Sequence, residues 1–161
     1  MLWRMDYDVT LTELSPTTAC HLRVRTSAHD IAASVGGGLQ RLYEFAAAAQ
    51  AAPSGPPQLA YPEPVTDGDF ELDLYLPISG EVTGQAPVDV VDLPGGPAAR
   101  TIHQGAYDRI PAAYEAVFTW IHEHGHTPSG PPRELYLTGP DEERSPDDDY
   151  VTEVVVPLLR R

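Results

Sequence analysis

Residues 53–57 read Pro-Ser-Gly-Pro-Pro, and residues 128–132 read Pro-Ser-Gly-Pro-Pro again. A tyrosine follows each block after a few residues, Tyr61 in the first case and Tyr136 in the second. Pro and Gly clusters of this kind mark turns between regular elements. An identical turn at two places predicts that the chain contains two copies of one structural unit.

Matches on both sides of the repeated block favour the same conclusion. Downstream, residues 74–78 (Leu-Tyr-Leu-Pro-Ile) correspond to residues 154–158 (Val-Val-Val-Pro-Leu). Upstream, three residues at helical spacing in the first copy have counterparts at one constant offset in the second. These pairs are Ile31 with Ile110, Val35 with Tyr114, and Leu42 with Ile121. We therefore predict two repeats, about 1–79 and 85–159, inside a single domain that spans 1–161.

Each repeat shows the same order of elements: two extended segments, a helix and two further strands. The helix of the second repeat is expected to stop at Gly125. In the last strand of the first repeat, Phe70, Leu72, Leu74 and Leu76 alternate with polar residues and form one apolar face. We predict an α+β fold of two strand-helix-strand-strand modules related by a pseudo-twofold axis. Two curved antiparallel sheets, each backed by its helix, would enclose a central groove.

Alternation also predicts which side chains line the groove. If Leu135 and Leu137 pack on the helix, Glu134 and Tyr136 point to the opposite face. The tyrosines of the first repeat are expected on that face as well. The predicted lining consists of Tyr61, Tyr75, Tyr136 and Glu134.

Three glycines, at positions 36–38, interrupt the helix of the first repeat. Each glycine costs roughly 1 kcal/mol relative to alanine inside a helix. We expect either a weak amino-terminal half of this helix or close packing at the glycines.

The composition excludes several classes of function. Acidic residues outnumber Lys and Arg by 24 to 10, giving a formal net charge of -14, and the chain contains no Lys. Such a balance argues against nucleic-acid binding and against docking on anionic membranes, and it suits a neutral or cationic ligand. No apolar run is long enough to span a bilayer, and the single cysteine excludes an internal disulfide. We expect a cytoplasmic protein.

Several residues of the second repeat, taken together, resemble the GyrI-like effector-binding domain. They are His103-Gln104-Gly105-Ala106-Tyr107, Ala113-Tyr114, Trp120-Ile121, Gly130, Glu134-Leu135-Tyr136-Leu137, Pro140, Thr152-Glu153 and Pro157. The resemblance covers the second repeat and, through the duplication, nearly the whole chain. It implies a groove in which a buried Glu and surrounding Tyr rings bind bulky aromatic cations. Glu134 matches that Glu by position.

The resemblance leaves more than one activity open. It implies a standalone small-molecule binding or sequestering protein, related to the sensor domains of multidrug-responsive transcription regulators. Other members resemble this chain in fold and hydrolyse reactive cyclopropane-containing compounds, for which Glu134 would be the catalytic residue. A third alternative is a gyrase-inhibitor-like role through a protein partner, and a homo-oligomer is also open. We expect no direct nucleic-acid binding, because residues 1–6 are too few for a helix-turn-helix.

The physical chemistry of Glu134 agrees with either of the first two functions. A carboxylate in an apolar groove costs several kcal/mol unless a cation compensates it. Alternatively its pKa is raised and it acts as a general acid or base. Tyr61, Tyr75, Tyr107 and Tyr136 are the candidate aromatic wall, because ring faces attract cations; strand tyrosines that merely cover a sheet would look the same.

Other candidate sites are weaker, and no cofactor or metal is expected. His122, His124 and His126 are two residues apart, whereas helical zinc sites use a spacing of four. Cys20 is expected to be a buried structural thiol. Trp120 is expected in the core, and His103 is a remote candidate for a haem ligand. The acidic run at 141–149 is expected to be a solvated loop.

Overall fold

The computed structural model describes residues 7–63, 65, 67–138 and 150–161. The described residues form eight strands and two helices, with one 3₁₀ turn. In order they are β1 (Thr10–Leu14), β2 (Thr17–Thr26), α1 (Ile31–Ala48), β3 (Gln58–Ala60), β4 (Phe70–Pro77), β5 (Asp89–Leu93), β6 (Gly96–Gln104), the 3₁₀ turn (Tyr107–Arg109), α2 (Ile110–Glu123), β7 (Arg133–Tyr136) and β8 (Val151–Pro157). The acidic run at 141–149 and Pro140 lie outside the described residues.

All eight strands belong to one curled antiparallel sheet, a half-barrel, in the order β1-β6-β8-β7-β3-β4-β2-β5. The predicted α+β class is confirmed, whereas the prediction of two separate sheets is wrong. The reason is the pairing of β3 with β7, in which Leu59 lies opposite Glu134 and Gln58 opposite Leu135. This short ladder joins the strands on either side of it into one continuous sheet.

The first strand of each half pairs with the second strand of the other half. β1 is bonded to β6, with Thr10 opposite Arg100, and β5 is bonded to β2, with Asp89 opposite His21. If each strand of the first half (β1–β4) is exchanged with the strand of the same rank in the second half (β5–β8), the strand order read from one edge becomes the order read from the other edge. The two halves are therefore interleaved.

Helix α1 is continuous through the glycine run and packs on β2 and β4. A Cβ atom placed on Gly38 would overlap with Cδ1 of Leu74, so this glycine permits the close approach of helix and sheet. Leu39 and Leu42 of the helix join the predicted apolar face of β4 in one hydrophobic core. Of the two alternatives for the glycine run, close packing accounts for Gly38.

Helix α2 packs on β6 and β8 and forms a second apolar cluster, in which Val117 and Ile121 meet Val154 and Val156. The helix ends before Gly125, whose φ of 71° lies in the left-handed region that glycine adopts at little cost, as the sequence predicted. Among the described residues, neither helix combines the length and the apolar character that crossing a bilayer requires.

Candidate functional site

A cavity of about 470 Å³ lies between the two helices and the centre of the sheet. Helix α1 supplies one side, the 3₁₀ turn and the start of α2 supply the other, and β3 and β7 supply the base. The pairing of β3 with β7 thus positions residues from both halves of the chain under one opening.

The lining residues differ in exposure, and this difference separates the floor of the cavity from its rim. The buried members, which we call the floor residues, are Leu59, Ile110, Glu134 and Tyr136. The exposed members, which we call the rim residues, are Ala32, Gly36, Asp108 and Pro111. Half-buried Ile31, Val35, Tyr61, Tyr107 and Tyr114 lie between them.

Glu134 on the floor is only 6% exposed, and two phenols hold its carboxylate. The hydroxyl of Tyr114 donates to Oε2 at 2.7 Å, and the hydroxyl of Tyr136 donates to Oε1 at 3.0 Å. Burial raises the pKa of the Glu134 carboxyl, and the two hydrogen bonds offset only part of that rise. The carboxyl of Glu134 is therefore ordered and desolvated, and its ionisation is disfavoured.

The tyrosines around Glu134 remain protonated at neutral pH. Burial, reinforced by the negative charge of Glu134, raises the pKa of Tyr61 to about 12. The pKa values of Tyr114 and Tyr136 are also raised, with burial as the largest cause and Glu134 as the next. Neutral phenols are the form that can donate to a carboxylate.

The charge in the cavity is of one sign. Glu134 on the floor and Asp108 on the rim are its acidic members, and no Arg or His is among the described lining residues. The carboxylate of Glu134 thus accepts hydrogen bonds but has no cation beside it in the described part of the cavity. A buried carboxylate in this situation costs several kcal/mol, which a bound cation can offset.

Four of the five predicted site residues come together at this cavity: Tyr61, Tyr107, Glu134 and Tyr136. Tyr75 does not. In the ladder of β3 and β4, Leu59 lies opposite Leu74 and Gln58 lies opposite Tyr75. Since Leu59 shares the face of Glu134, Tyr75 points to the other face, where its ring lies 5.1 Å from that of His21. The prediction that placed Tyr75 on the face of Glu134 is wrong.

The predicted packing of Leu135 and Leu137 on the helix is also wrong. Glu134 and Tyr136 take the helix side, because Glu134 is bonded to Tyr114 of α2. Leu135 consequently faces away from the helices, and Leu137, beyond the end of β7, is 44% exposed. Alternation grouped Glu134 with Tyr136 correctly but did not show which group faces the helices.

Tyr107 closes one side of the cavity from the 3₁₀ turn. Its ring meets Tyr136 edge-on at 5.7 Å between centroids and stacks on Tyr150 at 4.7 Å. His103, which is fully buried, fixes the turn, because its Nε2 lies 2.9 Å from the carbonyl oxygen of Ala106. A carbonyl can only accept, so Nε2 carries a proton, and Nδ1 lies 2.9 Å from the hydroxyl of Tyr7. Both ring nitrogens have protein partners, which leaves neither free to bind a haem iron.

The sequence did not single out the contribution of α1 or the role of Tyr114. Ile31, Ala32, Val35 and Gly36 line the cavity from successive turns of α1. Their spacing of four residues is visible in the sequence, but the glycine run obscures it. Tyr114 is the counterpart of Val35 in the repeat comparison. Each of the two residues lies on the side of its helix that lines the cavity.

The remaining candidates lie elsewhere. Trp120 is half-buried on α2 and stacks on His124 at 4.2 Å and on His126 at 5.5 Å. Within the described ranges, no three His, Cys, Asp or Glu side chains form a group that could hold a metal ion. Cys20 is buried in the core of the first half.

Comparison with protein families gives one match over nearly the whole chain. The family described as the GyrI-like small molecule binding domain matches residues 7–159. No curated protein matches the chain.

Several solved structures share the fold. The C-terminal domain of EcmrR has a TM-score of 0.84 at 17% identity, over 98% of this chain and 100% of that one. In the EcmrR–DNA complex the TM-score is 0.83 at 16% identity, over 96% of this chain, which spans 58% of EcmrR there. A hydrolase from Listeria innocua gives 0.73 at 12% identity, over 94% and 91% of the two chains. SAV2435 bound to tetraphenylphosphonium gives 0.60 at 23% identity, over 96% and 94%.

Proposed function

The chain belongs to the GyrI-like small molecule binding domain family, and from this premise we propose that its cavity binds hydrophobic organic cations with Glu134 as their counter-charge. The observation that carries the proposal is the carboxylate of Glu134, which is buried at the floor, bonded to two phenols and without an Arg or His beside it among the described lining residues. The protein would act as an effector-binding or sequestering protein.

The electrostatics of the floor support a cation over a neutral or anionic ligand. An anion would meet Glu134 at close range inside a desolvated space, where like charges repel strongly. A neutral ligand would leave the cost of burying the carboxylate in place. A cation removes that cost and gains from the negative charge of Asp108 at the rim during its approach.

The aromatic lining supports a ligand with apolar bulk. Tyr61, Tyr107, Tyr114 and Tyr136 present rings around the carboxylate, and Leu59 and Ile110 add aliphatic surface. Ring faces attract cations by about 0.5–2 kcal/mol each, depending on desolvation. SAV2435, which shares this fold, is bound to the cation tetraphenylphosphonium. That ligand combines one positive charge with four aromatic rings, which is the chemistry proposed for this cavity.

The two halves of the chain are, we further propose, repeats of one unit. The repeated Pro-Ser-Gly-Pro-Pro block and the palindromic order of the strands support this relationship. Val35 of α1 and Tyr114 of α2, which correspond in the two repeats, both line the cavity. The residue of the first repeat that corresponds to Glu134 is Leu59, which also lies opposite Glu134 in the ladder of β3 and β7. Glu134 therefore has no acidic counterpart.

Titration of tetraphenylphosphonium into wild type and Glu134→Gln tests the function. Gln keeps the shape of the side chain and removes its charge. We expect wild type to bind and the variant to lose tenfold or more in affinity, equivalent to about 1.4 kcal/mol. Glu115→Gln is the matched control, because Glu115 is exposed on α2, outside the lining, and its loss changes the net charge equally.

Two results would contradict the proposal. The first is the absence of binding by wild type to tetraphenylphosphonium and to a planar cationic dye such as rhodamine 6G. The second is equal affinity of wild type and Glu134→Gln, which would show that the carboxylate is not the counter-charge.

Hydrolysis of a strained electrophile is a second candidate, and the raised pKa of Glu134 favours it. A desolvated carboxyl is a suitable general acid or base near neutral pH. As a base it would accept a proton from water while the water oxygen bonds to an electrophilic cyclopropane carbon. The ring carbon–carbon bond would break, and the proton would pass to the carbon that leaves. Turnover of a cyclopropane-containing electrophile, lost in Glu134→Gln and retained in Glu115→Gln, would support an enzyme; binding without turnover would support the first function.

A further inference from the structure

Gly36 occupies a position in α1 where the protein itself gives no reason for glycine. Glycine weakens a helix, although at some positions there is a packing reason that excludes any side chain. Gly38 has one, because a Cβ there would meet Leu74. For Gly36, no described atom other than the adjoining residues and backbone of α1 itself lies within 4 Å of the position that a Cβ would take. An alanine would fit, and it would strengthen the helix.

The space in front of Gly36 is the cavity. Gly36 is an exposed rim residue, and Ala32, one turn earlier on the same helix, is another. Residues four apart in a helix lie on the same face, one above the other. Ala32 and Gly36, the two smallest residues of the lining, therefore form one edge of the opening, where almost no side chain projects from α1. Asp108 and Pro111 form the other edge.

We propose that Gly36 is a specificity-determining residue, whose bare backbone lets the cavity admit cations with wide, rigid, multi-ring systems. The proposal rests on the function proposed above and adds the class of cation to it. A side chain at position 36 would project from α1 into the opening and narrow it. A cation with several fused or clustered rings would then be excluded, whereas a cation with one ring would still reach Glu134.

Gly37 provides a matched control in the same helix. It is exposed like Gly36, and its Cβ would likewise meet no described atom within 4 Å apart from the adjoining residues and backbone of α1, but it is not among the lining residues. The same substitution at Gly36 and Gly37 therefore has the same effect on the helix. A difference in binding between the two variants reports on the opening.

The test is calorimetric titration of two cations of equal charge into Gly36→Leu and Gly37→Leu. Rhodamine 6G carries a wide fused-ring system, and benzyltrimethylammonium carries one ring. We expect Gly36→Leu to lose about tenfold or more in affinity for rhodamine 6G and to bind benzyltrimethylammonium within about twofold of wild type. Gly37→Leu should bind both cations within about twofold of wild type.

Gly36→Ala provides a second test if the leucine variant does not fold. We expect a smaller loss for rhodamine 6G together with a thermal midpoint raised by about 2–4 °C, as in Gly37→Ala. Rhodamine 6G binding by Gly36→Leu that equals wild type would overturn the inference, and so would an equal loss of both cations. If wild type binds neither cation, the proposed function itself fails and the inference fails with it.

Discussion

Tyr114 and Glu134 are joined by a hydrogen bond of 2.7 Å that links helix α2 to strand β7. The bond holds the carboxylate at the floor of the cavity, and Tyr136 holds its other oxygen from within the same strand. The carboxylate is therefore oriented before any ligand arrives. Pre-organisation of this kind lowers the entropic cost of binding.

Removal of the Tyr114 hydroxyl should change the pH range in which the protein binds cations. In Tyr114→Phe the carboxylate loses a charge-assisted hydrogen bond, a contribution of about 1.5–3 kcal/mol, while the ring stays. The pKa of Glu134 should rise further, so the midpoint of cation binding should move to higher pH. Fluorescence titrations of rhodamine 6G at a series of pH values measure the midpoint. Tyr75→Phe, on the other face, should leave it unchanged; an unshifted midpoint in Tyr114→Phe would contradict this role.

Cation affinity of the wild type should fall as the pH is lowered. Burial raises the pKa of Glu134 above its ordinary value of 4.5, so protonation starts at a higher pH than for an exposed glutamate. Protonation removes the counter-charge, and affinity should decrease as the pH falls through the raised pKa. The same titration on Glu134→Gln should be flat. A wild-type affinity that is constant from pH 8 to pH 4 would be inconsistent with Glu134 as the counter-charge.

Glu134→Gln should stabilise the unliganded protein at neutral pH. A carboxyl with a raised pKa in the folded state ionises first in the unfolded chain, so the folded state loses stability as the pH rises through that interval. Gln avoids this loss. We expect a gain of about 1 kcal/mol, or about 2–4 °C in the thermal midpoint at pH 7. Below the ordinary pKa of a glutamate the two proteins should have similar midpoints, and a gain that persists there would point to another cause.

Gly38→Ala should destabilise the protein although alanine favours a helix. Its Cβ would overlap with Cδ1 of Leu74, a side chain that is fully buried. Overpacking of a core costs about 1–3 kcal/mol, which exceeds the gain in helix propensity of about 1 kcal/mol. Urea denaturation of Gly38→Ala and Gly37→Ala gives the comparison. Destabilisation in the first and stabilisation in the second are expected, and equal stabilisation of both would show that α1 moves away from β4 easily.

Asp73 should make the protein sensitive to acid. Burial is the largest single influence and raises its pKa, but the hydrogen bonds from Arg23 and His21 together with the charge of these two partners outweigh burial, and the net pKa is lowered. The stabilisation from these contacts is therefore complete above the ordinary pKa of an aspartate and is lost as the pH falls through the lowered value. Urea midpoints at pH 6 to pH 2 should show the difference between wild type and Asp73→Asn shrinking with acid. Asp67→Asn, with the same change of charge at an exposed position, should show no such trend.

Local pattern was sufficient for the elements and for part of the cavity. The spacing of Ile110, Tyr114 and Ile121 predicted α2, and Gly125 predicted its end. Alternation placed Glu134 and Tyr136 together, because successive side chains of a strand point to opposite faces. The family resemblance, which is confirmed, singled out Glu134, whose role as a ligand partner stays a prediction.

Relations between distant strands were not available from local pattern. Tyr75 was misplaced because the register that sets Leu74 opposite Leu59 depends on how β4 meets β3. The single sheet was missed because the ladder between β3 and β7 involves only three residue pairs from segments far apart in sequence. The glycine run was visible in the sequence, but nothing there distinguished Gly36 from Gly37 and Gly38, because the space in front of Gly36 exists only once the two helices have packed on the sheet.

The pairing of β1 with β6 has a consequence for synthesis on the ribosome. Strand β1, which contains Thr10, has no pairing partner until β6, which contains Arg100, has been synthesised. At about 5–20 residues per second, that delay is roughly 5–20 s. During this interval β6, β7 and β8 have not all been synthesised. The first half alone cannot complete the cavity, because α2 and β7 supply part of its lining. The binding competence of the protein is thus acquired late, when the last strands have emerged.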